Sequence, residues 1–182
     1  MRPTEPRIPP IAPDMFTAEQ AAIAGDHAKY NFARVMVQHP ELYRTFIPFG
    51  EQLMRRSSLP ARDREILLLR TLTLCREAYE APHHVLIARH AGLTDQEIEA
   101  AKSGGGTLPA ADRTLVHAAE ELVRNHCVSD TTWRSLAQRY SRAQLMELVF
   151  LVGEYTMTAM ATNSFGIPVD GDAAHGTGEA NG

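Results

Sequence analysis

Apolar positions recur at three- and four-residue spacings along most of the chain, and no run alternates with period two for long enough to argue a strand. The pattern predicts an all-α helical bundle of about seven helices with short connections. Thr17 followed by Gln20 forms a capping box, opening a helical stretch that continues loosely through Tyr30 to Gln38. Pro40 opens a second helix to about Met54, and Ser58-Leu59-Pro60 starts another that runs to about Cys75. In that helix Ile66, Leu67, Leu69, Leu72 and Thr73 cover most of the circumference, while Arg62, Asp63, Arg64 and Glu65 crowd the first turn. Charges confined to the end of an otherwise apolar helix mark a central one, and Arg64 with Glu65 is expected to form a partly buried ion pair.

Pro82 limits where the next helix can begin. Proline is disfavoured inside a helix by about 3 kcal/mol but is free in the first turn, where the N–H groups lack partners. That helix must therefore start between about Ala78 and Ala81, and Gly92 ends it. Thr94 and Glu97 make a second capping box, Pro109 opens a helix to about Asn125, Ser129 caps one to about Tyr140, and Ser141 with Gln144 starts a long one from about Arg142 to Asn163. The expected organisation is a proline-rich arm over 1–16, a helical domain over 17–169 and a flexible glycine-rich tail over 170–182.

Composition narrows the function classes. A chain of 182 residues, 44% hydrophobic and 22% charged, suits one domain with a sizeable core. The net charge of −4 and the scattered basic residues offer no clustered positive face for nucleic acid. Ser103-Gly104-Gly105-Gly106 lacks the following Gly-Lys-Ser/Thr of a phosphate loop. The longest apolar run, 145–160, is interrupted by Glu147, Gly153 and Glu154 and falls short of the roughly 20 residues of a membrane span. Cys75 and Cys127 stand far apart with no apolar leader before them, so a reduced, cytoplasmic setting is expected.

The candidate chemistry lies at the start of the helix that carries Pro82. Glu77, Glu80 and His84 come in the order Glu-x-x-Glu-x-x-x-His, and Glu80 and His84 share a face at i, i+4 spacing. A carboxylate orients imidazole and raises its pKa, whereas the helix N-terminus disfavours His⁺; together they are expected to leave His84 titrating near neutrality, as general acid–base work requires. Such a pair is also common as a plain surface contact. Glu77 and Tyr79 are secondary proton donors by position, or a turn residue and a rim aromatic. Glu80 and His83 form one Glu-x-x-His, the unit that di-iron bundles use twice; Glu154 or His126 could add a ligand in space, but with half the pattern at most, no metal is expected. Arg70, His83 and Ala81 are candidates to contact substrate, Arg70 by binding a substrate carboxylate.

The run 59–70, LPARDREILLLR, then Tyr79-Glu80, His84, Ala88 and Gly92-Leu93-Thr94, together with the closing Asn163-Ser164-Phe165-Gly166, resembles the carboxymuconolactone decarboxylase family of the AhpD-like superfamily. The likeness spans about Tyr30 to Val169. It implies an AhpD-like all-α fold and a homo-oligomer (dimer, trimer or hexamer). In the alkylhydroperoxidase branch of that superfamily, Cys-x-x-Cys-x-x-x-His occupies the places of Glu77, Glu80 and His84, so thiol-based peroxide reduction is disfavoured here. In the decarboxylase-like branch a tryptophan usually stands where this chain has Ala81, a change that enlarges or reshapes the pocket. The resemblance thus implies a cofactor-independent lyase acting on a small carboxylate or lactone. In this reading His84 supplies or relays the proton and Glu80 holds its tautomer. His84→Ala should then remove most turnover and leave the fold intact. The same pair could serve an isomerase, dehydratase or cyclase, and a non-catalytic oligomeric binding protein is the alternative of a different kind.

Overall fold

The computed structural model describes residues 2–171, so residues 172–182 of the expected tail lie outside it. Among the described residues the chain is all helical, with α1 (Ala18–Ala24), α2 (Asn31–Met36), α3 (Pro40–Arg55), α4 (Ala61–Leu74), α5 (Glu80–His90), α6 (Asp95–Lys102), α7 (Ala110–Asn125), α8 (Asp130–Ala137) and α9 (Arg142–Phe165). Nine helices replace the expected seven because short helices count separately and the first stretch breaks. Gly25, at φ 48°, ends α1, and a 3-10 turn over Gly25–Lys29 leads to α2. The capping boxes at Thr17/Gln20 and Thr94/Glu97 both form.

The described residues divide into two compact units, 2–50 with 161–171, and 51–160. In the smaller, Ala24, Ala33, Met36, Val37 and Tyr43 form the core, with Phe16, Phe32 and Phe165 against it. The proline-rich residues pack on their own chain: Arg7 N donates to Phe165 O at 2.8 Å, and Gln38 Nε2 to Pro9 O at 2.9 Å. Gly166 is required there, since its φ is 71° and a Cβ would come within 2.9 Å of Pro3.

In the larger unit α4 is the central helix, packed against α5, α6 and α7, with Ile66 to Leu69 and Leu72 buried. Its start is built by polar contacts as much as by apolar ones. Glu147 accepts from Ser57 Oγ at 2.7 Å and from Ser58 N at 2.8 Å, which organises the turn before α4. Buried Asp63 accepts from the Tyr140 hydroxyl at 2.7 Å and from Arg139 Nη2, while Arg62 bridges Glu97 and Asp112. Buried Asp63 and Asp112 thus have charged or hydroxyl partners, without which burial would cost several kcal/mol. No helix among the described residues is long and apolar enough to cross a membrane.

Candidate active site

The site is assembled wholly within the larger unit, from the first half of α4, the turn after that helix, the first half of α5 and the middle of α9. Helix α4 ends in a Schellman motif: Arg76 N donates to Thr73 O at 3.1 Å and Glu77 N to Leu72 O at 2.9 Å. The residue at the left-handed position is Arg76, at φ 50°, where glycine is usual. This sharp reversal delivers Glu77 to the mouth of α5, where its carboxylate accepts from Tyr79 N (2.8 Å), Glu80 N (2.6 Å) and Ala81 N (3.1 Å). The expectation of Glu77 as a proton donor gives way to a helix cap, which accepts hydrogen bonds rather than supplying protons.

His84 is fully buried, and both ring nitrogens are engaged. Nδ1 lies 2.7 Å from Glu65 Oε2, and Nε2 lies 3.0 Å from the Tyr155 hydroxyl, with the two rings edge to face at 4.8 Å. Glu65, on α4, therefore takes the orienting role expected of Glu80, and the expected Arg64–Glu65 ion pair is replaced: Arg64 Nη1 donates to Leu59 O at 3.1 Å. Glu65 is itself inaccessible to solvent, and its Oε1 has no hydrogen-bond partner among the described residues. Burial disfavours the charged form of His84. The charge and hydrogen bond of Glu65, with smaller contributions from Glu80 and Glu154, still hold its pKa above the ordinary histidine value.

Two residues of α9 complete the group. Burial, with the charges of Glu80, Glu154 and Glu65, holds the Tyr155 hydroxyl far above its usual pKa, so it is neutral. Burial and then the charge of Glu80 push the Glu154 carboxyl up to about 7, against a hydrogen bond from Thr158 and the charge of His84. Its Oε1 accepts from Thr158 Oγ1 at 3.2 Å, whereas Oε2 is buried without a hydrogen-bond partner. Sequence reasoning missed Tyr155 as a site residue and considered Glu154 only as a metal ligand. The signal for both was a Glu-Tyr pair inside an otherwise apolar run.

The remaining candidates fall elsewhere. Tyr79 is buried at the start of α5, 5.5 Å from the His83 ring, so it is not a rim aromatic. Glu80 is half-buried and acts on His84, Glu154 and Tyr155 through its charge. Arg70, expected to hold a substrate carboxylate, is committed to Glu120 and to the carbonyl of Lys102. Ala81 lines a cavity of about 310 Å³ with Leu69, Leu72, Ala78, Val85 and Lys102, which makes Lys102 the cationic residue of that lining. His84→Ala cannot be structurally silent, because it would leave the Glu65 carboxylate buried without its partner. No group of three or more His, Cys, Asp or Glu among the described residues could hold a metal ion. Neither Cys75 nor Cys127 is in a disulfide, and burial, with the charge of Glu77, raises the Cys75 thiol above its ordinary pKa.

The fold is of the AhpD-like helical type, and the segment that carries most of the site is similar to a known family. Residues 40–121 match the carboxymuconolactone decarboxylase family. That segment holds Glu65, Glu77, Glu80 and His84 and leaves Glu154 and Tyr155 outside. The AhpD core of an uncharacterized peroxidase-related protein from Ralstonia eutropha JMP134 is similar at TM-score 0.78 and 15% identity, covering 93% of this chain and 94% of that one. An uncharacterized peroxidase-related protein from Silicibacter sp. TM1040 gives 0.75 and 15%, covering 97% and 98%. The debrominase Bmp8 gives 0.75 and 13%, covering 92% and 94%. No curated protein sequence matches the chain.

Proposed function

We propose that this chain is a cofactor-independent acid–base enzyme, a decarboxylase-like lyase acting on a small carboxylate or lactone. The observation that carries the reading is the buried chain Glu65–His84–Tyr155, with hydrogen bonds of 2.7 and 3.0 Å. With His84 as imidazolium, Nδ1–H donates to Glu65 and Nε2–H to the Tyr155 oxygen, so the phenolic hydrogen is directed away from the ring. Decarboxylation breaks the bond to CO₂ and leaves its electron pair delocalised in a neighbouring carbonyl as an enolate. Tyr155 gives that enolate its proton, His84 replaces it from Nε2, and Glu65 keeps the ring oriented throughout. His84 is the relay, and the terminal donor is Tyr155. The cavity beside Ala81, at the small end of ligand pockets, suits an apolar body, and its cationic residue, Lys102, would have to exchange its 2.7 Å pairing with Glu99 for a substrate carboxylate.

The peroxidase names of the structural neighbours do not carry over. Positions 77 and 80 hold glutamates, and Cys75 is kept protonated by burial. The test is Tyr155→Phe against wild type, with a panel of lactone acids, β-keto acids and aromatic carboxylates monitored by mass spectrometry. Turnover should fall about 100-fold or more, while ligand-induced thermal stabilisation is retained. Full activity in the variant would refute the relay. Compounds that stabilise the wild-type protein but are never converted would establish a binding protein instead.

A further inference from the structure

Helix α4 carries three arginines, all partly buried, and they are held in two different ways. Arg62 pairs with Glu97 and Asp112, and Arg70 pairs with Glu120. Arg64 makes no ion pair among the described residues. Its Nη1 donates to the Leu59 carbonyl at 3.1 Å, and its Nε is buried without a hydrogen-bond partner. A guanidinium is always charged and offers five N–H donors, so a partly buried one with no carboxylate partner costs stability. The packing of α4 alone does not call for it.

The place of Arg64 relative to the relay follows from where α4 and α9 are tied together. The turn before α4 is held by α9: Leu59 N donates to Glu147 Oε2 at 3.3 Å, and Gln144 Nε2 donates to Ser58 O at 2.8 Å. Further along, Glu65 of α4 reaches Tyr155 of α9 through His84, by contacts of 2.7 and 3.0 Å. These two ties rise together in the sequence, from 59 to 65 and from 147 to 155, so the two stretches advance in the same direction. Arg64 lies between them and is anchored on Leu59, at the first. Burial and then the charges of Glu80, Glu154 and Glu65 resist ionisation of Tyr155, and the largest charge acting the other way is that of Arg64.

We infer that Arg64 is a positioning residue of the relay, which keeps a positive charge near Tyr155 for the moment when that hydroxyl becomes a tyrosinate. The inference rests on the acid–base reading above and adds the group that eases its central step. When the Tyr155 O–H bond breaks, the proton goes to the enolate carbon and the electron pair stays on the phenolic oxygen. The Nε2 proton of His84 then passes to that oxygen and leaves the ring neutral. Between the two transfers the tyrosinate faces the negative charges of Glu65 and Glu80, and Arg64 offsets them. It does so without exchanging a proton, because arginine does not deprotonate in proteins.

The test titrates position 155 directly, so it needs no substrate. 3,5-Difluorotyrosine, a more acidic phenol, is placed at 155 and its ionisation is followed by fluorine NMR against pH, with circular dichroism to confirm folding. Two neutral variants, Arg64→Gln and Arg64→Met, should each raise the proton affinity of that phenol about tenfold or more, while Arg64→Lys should stay within about threefold of wild type. Arg134→Gln, the same loss of charge at an exposed site on α8, should leave it unchanged. On a converted substrate, Arg64→Gln should lower kcat about tenfold at unchanged KM, and Arg64→Lys should retain most of the turnover. An unchanged titration in a folded neutral variant, or a shift no larger than that of Arg134→Gln, would overturn the proposal. So would a raised KM at unchanged kcat, which would make Arg64 a substrate ligand. A shifted titration with no compound converted would sink the lyase reading and leave the action of Arg64 on Tyr155 standing.

Discussion

Replacing Glu154 with glutamine should stabilise the protein above neutral pH and change it little in mild acid. Glu154 is buried, one of its oxygens accepts from Thr158, and the other has no hydrogen-bond partner. Burial and the nearby charge of Glu80 raise its pKa from an ordinary 4.5 to about 7. The sign is set by linkage: the folded chain keeps this proton through a window in which the unfolded chain has released it. The group's contribution is therefore complete below the unfolded value and is lost as pH rises through about 7. At about 1.36 kcal/mol per pH unit, the gap between the two values corresponds to about 3 kcal/mol. Glutamine cannot ionise and keeps an acceptor for Thr158. Urea denaturation at one protein concentration should therefore find Glu154→Gln within about 1 kcal/mol of wild type at pH 5 and about 3 kcal/mol more stable at pH 8. The raised pKa of His84 also makes stability fall with rising pH, but it is present in both proteins and cancels to first order in the difference. A difference that does not grow between pH 5 and pH 8 would refute the claim that Glu154 is protonated in the folded state.

Three further changes probe the surroundings of the relay. His84→Ala should cost about 3–5 kcal/mol in urea denaturation at neutral pH, because it strands the buried Glu65 carboxylate; a loss below about 1 kcal/mol would mean that Glu65 does not depend on the ring. Glu77→Ala should cost about 1–2 kcal/mol and accelerate amide exchange at Tyr79, Glu80 and Ala81, whose N–H groups it caps; unchanged exchange there would remove the cap assignment. Arg76→Gly should raise the melting temperature by relieving a left-handed arginine, a gain of about 0.5–1 kcal/mol, and a lower melting temperature would show that the arginine side chain is needed in that turn.

Local rules made most of the fold legible. Both capping boxes, the proline-limited start of α5 and the long α9 depend on residues within a turn of each boundary, where the physics of helix ends is decided. The first stretch failed at Gly25, because a loose apolar period does not reveal that one residue takes a positive φ. The same distinction explains the site. Glu77, Glu80 and His84 could be placed together because one helix start organises all three. Glu65 and Tyr155 lie 19 and 71 residues from His84, and their contacts depend on how α4 and α9 pack against α5. Glu65 did carry a readable sign, standing one turn before Leu69 on the buried face of α4. A glutamate on an apolar face needs a partner, and the adjacent arginine, which points to another side of the helix, was the wrong one to choose.

The carboxylates at 77 and 80 act on the site in different ways. The start of α5 favours an anion whether that anion is a thiolate or a carboxylate. Glu77 fills this place completely, with both oxygens on backbone N–H groups. The charge of Glu80 instead spreads inward and raises the proton affinity of His84, Glu154 and Tyr155 together. Of the carboxylates that act on the ring, Glu65 is offset by the imidazolium, and Glu154 approaches neutrality by keeping its proton. The group is therefore closest to charge balance when both His84 and Glu154 are protonated. Such a group holds protons ready for delivery near neutral pH, which is what the proposed protonation of an enolate requires.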